Sequence, residues 1–290
     1  MTTYYNVVMR QIYDIPIKVH GWGGLGSQLY TLATAIEIKK KFPKRRVVIV
    51  LHNGGVTKRK PEINEITNKL FEIEQVNDYA KNSISKIKNR SFKIKSKQIF
   101  KLLLKKILIV FGLLALANTN KDLQKIRPWV ISLRGHYFYR LPSYDIYDHI
   151  IDYLNFHFKP YISGSFILAV HYRMGDLLEL TQKTVYPVDK LLNKINEVAE
   201  HNRNISIVIY SDSPKEARLA LEGAGLNQKF LVKNLPTVQV LAECLGANFF
   251  IGTNSKISLW IVNLRRYMGR YESNFLEGFE KQLYVPSNPS

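Results

Sequence analysis

From Phe166 onward the chain alternates short apolar runs with amphipathic stretches. Phe166–Val170, Ile205–Tyr210, Phe230–Val232 and Phe249–Ile251 have the length and composition of buried strands. Helical spacing fills Val188–His201, Pro214–Gly223, Val238–Leu245 and Lys256–Tyr267. Pro214 suits a first helical position, with Asp212 or Ser213 as its cap. Alternation of this kind predicts a parallel sheet with helices on both faces.

The first half starts the same pattern and then loses it. Pro16–His20 reads as a strand, and a helix runs from about Gln28 to Lys41, with Leu29, Leu32, Ala33 and Ile36 on one face. Lys39, Lys40 and Lys41 close that helix, where cations suit the dipole. Arg46–Leu51 is the next buried strand, whereas Asn53 to about Asn120 is polar, basic and poorly periodic. Val130–Leu133 begins a short strand that ends in R-G-H-Y-F-Y-R, Arg134 to Arg140. No fixed-period repeat is present. At 290 residues the chain suits two domains.

Four strand ends carry chemistry. H-Y-R-M-G-D, His171–Asp176, hangs on the Phe166–Val170 run. A guanidinium such as Arg173 grips a phosphate through two parallel hydrogen bonds, and His171 points to the same side of an extended strand. Gly175 permits a sharp turn, and Asp176 can hold Arg173 or serve chemistry directly. A buried Arg–Asp pair closing a strand end fits the same six residues. His20–Gln28, H-G-W-G-G-L-G-S-Q, lets backbone N–H groups approach an anion at a helix N-terminus, though a plain tight turn fits as well. It is neither a Walker A sequence nor a dinucleotide fingerprint. Asp212 in Y-S-D-S is suited to a guanine or ribose hydroxyls, or to capping alone. Gly252–Lys256, G-T-N-S-K, offers small polar side chains and a cation at a helix start, where phosphate binding and capping look alike.

Charge adds one question. The net charge is +19, and between Lys81 and Lys121 eleven Lys and Arg residues occur with no acidic residue. Within that stretch Ile107–Ala117 is apolar but shorter than the ~20 residues that span a bilayer. Ile99–Lys106 interleaves apolar and basic residues, as helices lying on anionic membranes do. A core helix after a solvated basic loop is the alternative. A nucleic-acid surface is a third reading, unsupported by any RNP, zinc-finger or KH pattern. The single cysteine, Cys244, excludes an intramolecular disulfide and suits a reducing compartment. The N-terminus lacks a basic leader with an apolar h-region, so a cytoplasmic protein is expected.

Taken in order, G-G-L-G-S-Q (Gly23–Gln28), H-Y-R-M-G-D, Y-S-D-S and T-N-S-K-I-S-L-W (Thr253–Trp260) resemble the motifs of the inverting α-1,2-fucosyltransferases, glycosyltransferase family 11, within the GT-B fucosyltransferase group. R-G-H-Y-F-Y-R is a loose match to a further family segment. The resemblance implies an α/β, GT-B-like fold of two Rossmann-like domains facing across a cleft. Residues 1–155 would be the acceptor side with a basic insertion, and residues 156–290 the nucleotide-sugar side.

The resemblance also implies roles. Arg173 would clamp the β-phosphate of GDP-fucose, with His171 beside it. Asp212 would contact the nucleoside, Asn254 and Ser255 the phosphates, and the loop with Gly24, Gly26, Ser27 and Gln28 the sugar end of the donor. No metal cofactor is implied, and the nearest D-x-D candidates, Asp145 and Asp148, have both Ile146 and Tyr147 between them. Ser27, Met174 and Leu259 depart from the usual Asn, Arg and aromatic residue. No general base is assigned: Asp176 is a candidate that would otherwise only orient Arg173, and Glu37 reads as a solvated helix residue. The expected activity is fucose transfer with inversion to a glycan hydroxyl, on a lipid-linked, O-antigen-like acceptor at the inner membrane face. A related transferase with another nucleotide sugar, or a basic nucleic-acid-binding protein, are the alternatives.

Overall fold

The computed structural model describes residues 14–53, 61–67, 70–77, 103–135, 137, 142–158, 166–179, 185–202 and 204–276. The chain divides into two compact units, Met1–Ile146 and Tyr147–Ser290.

In the first unit, β1 (Ile17–Trp22), β2 (Val47–His52), β3 (Glu72–Val76), β4 (Leu114–Leu116) and β5 (Ser132–Arg134) form one sheet in the order β3-β2-β1-β5-β4. Every pairing is parallel. β2 is buried from Val47 to Leu51, so it reads in the sequence as an unbroken apolar run rather than an alternation. Helix α1 (Leu25–Lys41) follows β1, and Leu29, Leu32 and Ala33 are fully buried. It starts three residues before the expected Gln28, because Gly24 stands at the cap and Gly26 lies within the first turn. A short helix, α2 (Asn120–Lys125), opens on a capping box between Thr119 and Asp122.

Helix α3 (Tyr144–His157) leads into the second unit. There β6 (Ile167–His171), α4 (Gly175–Glu179), α5 (Val188–Glu200), β7 (Ser206–Tyr210), α6 (Pro214–Gly223), β8 (Phe230–Lys233), α7 (Thr237–Gly246), β9 (Phe249–Gly252), α8 (Lys256–Tyr267) and β10 (Ser273–Phe275) follow in turn. The parallel sheet runs β10-β9-β6-β7-β8. Numbered within the unit this is the 3-2-1-4-5 order of doubly wound folds, with its reversal between β6 and β9. One face packs Leu168, Val170, Ile207 and Ile209 against Leu191, Ile195, Ala217 and Leu221 of α5 and α6. The chain is thus α/β, with two Rossmann-like parallel sheets.

Each unit also buries an arginine whose guanidinium serves backbone carbonyls. Arg265 is fully buried on α8, and its guanidinium donates to the carbonyls of Ala247 (2.6 Å), Asn248 (2.8 Å) and Cys244 (3.0 Å) and to Ser273 Oγ (2.7 Å). It satisfies carbonyls left open where α7 ends. Arg45 does similar work in the first unit, donating to the carbonyls of Ile15, Pro128 and Val130.

Two sequence expectations are corrected. The apolar run Ile107–Ala117 is not one helix: residues 103–110 are helical, Gly112 turns the chain with φ +71°, and Leu114–Leu116 becomes β4. The helical part is not a core element either, since Leu103, Leu104, Ile107, Val110 and Phe111 are all exposed. The featureless middle also contains β3, whose edge position leaves it half-exposed and without an apolar signature. Lys81, Lys86, Lys88, Arg90, Lys93, Lys95, Lys97 and Lys101 lie outside the described residues. Among the described residues, no helix is long and apolar enough to cross a membrane.

Candidate functional site

The ends of the three central strands of the second sheet lie in register: His171 pairs with Tyr210 on one side and with Gly252 on the other. Three of the sequence motifs therefore leave the sheet side by side at its carboxyl edge. The reversal of strand order falls between the first and third of them, and open α/β sheets bind their ligands at such a point.

Backbone and side-chain bonds knit these loops together. Thr253 N–H donates to His171 O at 3.0 Å, and Thr253 Oγ1 donates to the same carbonyl at 3.0 Å. Arg173 N–H in turn donates to Thr253 Oγ1 at 3.1 Å. Past β6 the in–out alternation continues: Tyr172 and Met174 enter the core beside α5 and α6, which leaves His171 and Arg173 to the other side. Met174, where a second arginine was expected by resemblance, is thus a core residue and 5% exposed. Burial raises the Tyr172 hydroxyl to about 12, and it donates to Tyr186 O at 3.1 Å.

His171 Nδ1 lies 2.7 Å from Ser258 Oγ on α8. Burial lowers its pKa to about 4; Asp212 pulls the other way and Arg173 adds to the lowering. The ring is therefore neutral at physiological pH. Gly252 is needed because the start of α8 approaches so closely: a Cβ there would sit 2.6 Å from Ser258 Cβ.

Asp212 does not cap its own helix. Ser213 holds the cap position of α6 without a side-chain bond, while Asp212 Oδ1 accepts from Met174 N–H (3.0 Å) and Gly175 N–H (2.8 Å). Gly175 has no positive φ, so it is not a turn glycine. Its role is space, since a Cβ would collide with the Asp212 carboxylate. Ser255, expected at the phosphates, is the cap of α8, its Oγ accepting from Ile257 N–H at 3.1 Å. Asn254 beside it is half-buried and has no protein partner for its side chain among the described residues. Asp176 lies in the first turn of α4, and its side chain is outside the described set.

Farther along the same edge is a group that no motif marked. Glu243 of α7 accepts from Tyr210 Oη (2.8 Å), Lys233 Nζ (2.8 Å) and Gln239 Nε2 (3.0 Å). Burial works to raise the Glu243 carboxyl, but these three bonds outweigh it and hold the pKa below its ordinary value.

In the first unit, the glycine-rich loop leaves β1 at the corresponding reversal, between β1 and β5. Gly23 has φ +92° and makes the turn. Gln28 is a tie: its Nε2 donates to Gly23 O at 2.9 Å, and its Oε1 accepts from Glu62 N–H (2.8 Å) and Ile63 N–H (3.2 Å). Glu62 Oε2 accepts from Leu25 N–H at 3.0 Å, so a carboxylate already occupies the start of α1. Gly24 is the cap residue, and Gly26 and Ser27 lie in the first turn.

Beside this loop sits a second group absent from the motif reading. His20 Nδ1 is 2.9 Å from His52 Nε2, and Trp22 stacks on His52 with centroids 4.3 Å apart. Burial lowers the pKa of His20 to about 4, helped by Arg134, His52 and Lys18. The signal available in the sequence was a histidine ending each of two apolar strands, V-H-G-W and V-L-H-N.

The remaining candidates are structural. Asp145 pairs with Lys40, Asp148 accepts from Tyr267 Oη at 2.6 Å, and Glu37 Oε1 accepts from Ser143 N–H at 3.1 Å. Glu37 is therefore a tie rather than a solvated residue. Most of Arg134–Arg140 beyond Gly135 lies outside the described residues. Among the described residues, no group of three or more His, Cys, Asp or Glu side chains is placed to hold a metal ion.

No protein-family model matches the chain. No curated protein matches it either. Solved structures similar to it include POFUT1 in complex with GDP-fucose, at 13% identity over 91% of this chain and 98% of that one, with a TM-score of 0.42. The E. coli heptosyltransferase WaaC with ADP has 13% identity, covers 94% and 96% of the two chains, and gives a TM-score of 0.46. The S. aureus MnaA–UDP structure has 10% identity, covers 83% and 75%, and gives 0.41. Likeness this distant leaves the reaction and the substrate to the residues themselves.

Proposed function

We propose that the chain is an inverting glycosyltransferase, an α-1,2-fucosyltransferase that moves fucose from GDP-fucose to a glycan hydroxyl in surface-polysaccharide synthesis. The observation that carries this reading is the convergence of the H-Y-R-M-G-D, S-D-S and T-N-S-K loops on the in-register ends of β6, β7 and β9. Short motifs separated by tens of residues meet there at a strand-order reversal.

In this reaction the acceptor oxygen attacks the anomeric carbon, the bond from that carbon to the β-phosphate oxygen breaks, and GDP leaves with the electron pair. The charge developing on the diphosphate is what the site must stabilise. Arg173 supplies the positive charge, its backbone held by Thr253. His171, kept neutral, orients a hydrogen bond without adding charge. The positive end of α8 lies at the same edge, with Asn254 ahead of it. Asp212 acts by fixing the backbone of the arginine loop, and through it the placement of the nucleotide. The acceptor hydroxyl must give up its proton to a base, and Asp176 is one candidate for it, the other duty open to that residue being to orient Arg173. No metal ion takes part, and diphosphate charge is met by arginine and helix dipole.

Calorimetric titration with GDP and with UDP, on wild type and Arg173→Ala, tests the reading. GDP binding that the substitution abolishes supports it. Binding of UDP alone means another nucleotide sugar. Absence of both, with nucleic-acid binding of steep salt dependence that survives Arg173→Ala, overturns the transferase reading.

A further inference from the structure

We infer that the helix over residues 103–110, with Phe111 at its end, is a docking surface for an anionic lipid bilayer, lying in the plane of the membrane interface. This goes beyond the proposed transferase activity and does not depend on it.

The helix is apolar on its outer side. Leu103, Leu104, Ile107, Val110 and Phe111 are 54%, 44%, 50%, 82% and 67% exposed. At 100° per residue they fall within an arc of about 120°, one continuous stripe. In a helix packed on a core such a stripe faces inward. Here it faces out, and only Leu108 among 103–110 is half-buried. Exposed Lys105 and Lys106, with the less exposed Ile109 between them, lie outside the stripe. Apolar stripe plus lysines is the pattern of an interfacial helix, and the eight described helical residues are far fewer than a bilayer span needs.

The stripe is held by the fold. Gly112, at φ +71°, ends the helix in a Schellman motif: Leu113 N–H donates to Leu108 O (2.9 Å) and Gly112 N–H to Ile109 O (2.9 Å). Trp129 Nε1–H donates to Phe111 O at 3.0 Å, and the Arg127 guanidinium stacks on the Trp129 ring at 5.2 Å. Leu113 O then accepts from Ile131 and Ser132, which feeds the chain into β4. An indole and an arginine thus brace the exposed tip where Val110 and Phe111 project.

Charge selects the occupant. Eleven basic and no acidic residues occur in sequence between Lys81 and Lys121. A second copy of this chain would bring Lys105, Lys106 and the same net charge of +19, and be repelled. An anionic lipid surface attracts that charge, within a Debye length of the headgroups.

Co-sedimentation of the full chain with vesicles of phosphatidylcholine, and of phosphatidylcholine with phosphatidylglycerol, tests the inference. The anionic vesicles should bind the chain, weakening as salt rises, and the neutral ones should bind it at least tenfold less. The double substitution Val110→Asp, Phe111→Asp should cut anionic-vesicle binding by tenfold or more. GDP titration and thermal unfolding should not change, because both side chains face solvent. No binding to anionic vesicles at low salt overturns the inference, as does equal binding by the double variant. A dimer that the double variant dissolves, with no vesicle binding in either protein, assigns the stripe to self-association instead.

Discussion

Asp212 Oδ1 accepts the Gly175 backbone N–H at 2.8 Å, and the same carboxylate fills the space a Gly175 side chain would need. Two motifs separated in sequence are thereby locked at one contact. Gly175→Ala should destabilise the chain by about 1–3 kcal/mol, the ordinary cost of overpacking, and remove GDP binding. Urea unfolding and calorimetry read the two effects. An alanine variant that binds GDP normally would show that this contact does not shape the site.

Arg173→Ala should reduce kcat for transfer by about 10²–10³, the usual loss of one transition-state charge partner. Its unfolding midpoint should stay close to wild type, because Arg173 is half-buried and the backbone bond to Thr253 survives the substitution. Steady-state kinetics beside a thermal melt decides it. Lys at this position should recover only part of the loss, since a point charge cannot grip two oxygens at once.

His171 and His20 both have their pKa lowered by burial from 6.5 to about 4. In the unfolded chain each takes up a proton below about pH 6.5, whereas the folded chain resists until about pH 4. Stability is therefore complete above 6.5 and falls as pH drops through that window, by on the order of 3 kcal/mol for His171 and by less for His20, which solvent partly screens. Urea midpoints between pH 7 and 4 should show the decline, and His171→Gln should flatten part of it. A slope unchanged by His171→Gln would mean that this imidazole titrates as it does in water.

Gln28→Ala removes the tie among Gly23, Glu62 and Ile63 and should cost about 1–3 kcal/mol. Hydrogen exchange should show the segment over 61–67 opening more readily, with the second unit unaffected. Uniform loss of protection along the chain would argue against so local a role.

The apolar runs of β6, β7 and β9 were legible because buried parallel strands have no alternation to break, and Pro214 and Ser255 marked their helix starts well. β3 and β10 were not, because edge strands of five and three residues carry no burial signature. In the site, Arg173 and Thr253 stand on adjacent strand ends as the motif order suggests. The particular duties of Asp212, Ser255 and Gln28 were hidden, since a residue that caps and one that binds phosphate have the same side chain. His52 and Glu243 were missed for another reason: each belongs to a cluster assembled from distant segments, and the histidine at a strand end was the one local trace of either.

One consequence concerns Glu62. Its carboxylate sits on the Leu25 N–H, at the end of α1 where the partial positive charge concentrates. A phosphate arriving at this helix would not meet a vacant cradle; it would enter an exchange of one anion for another. The glycine loop can therefore add to the binding of any anion only the difference between the two, and its selectivity would depend on how readily the segment carrying Glu62 is given up.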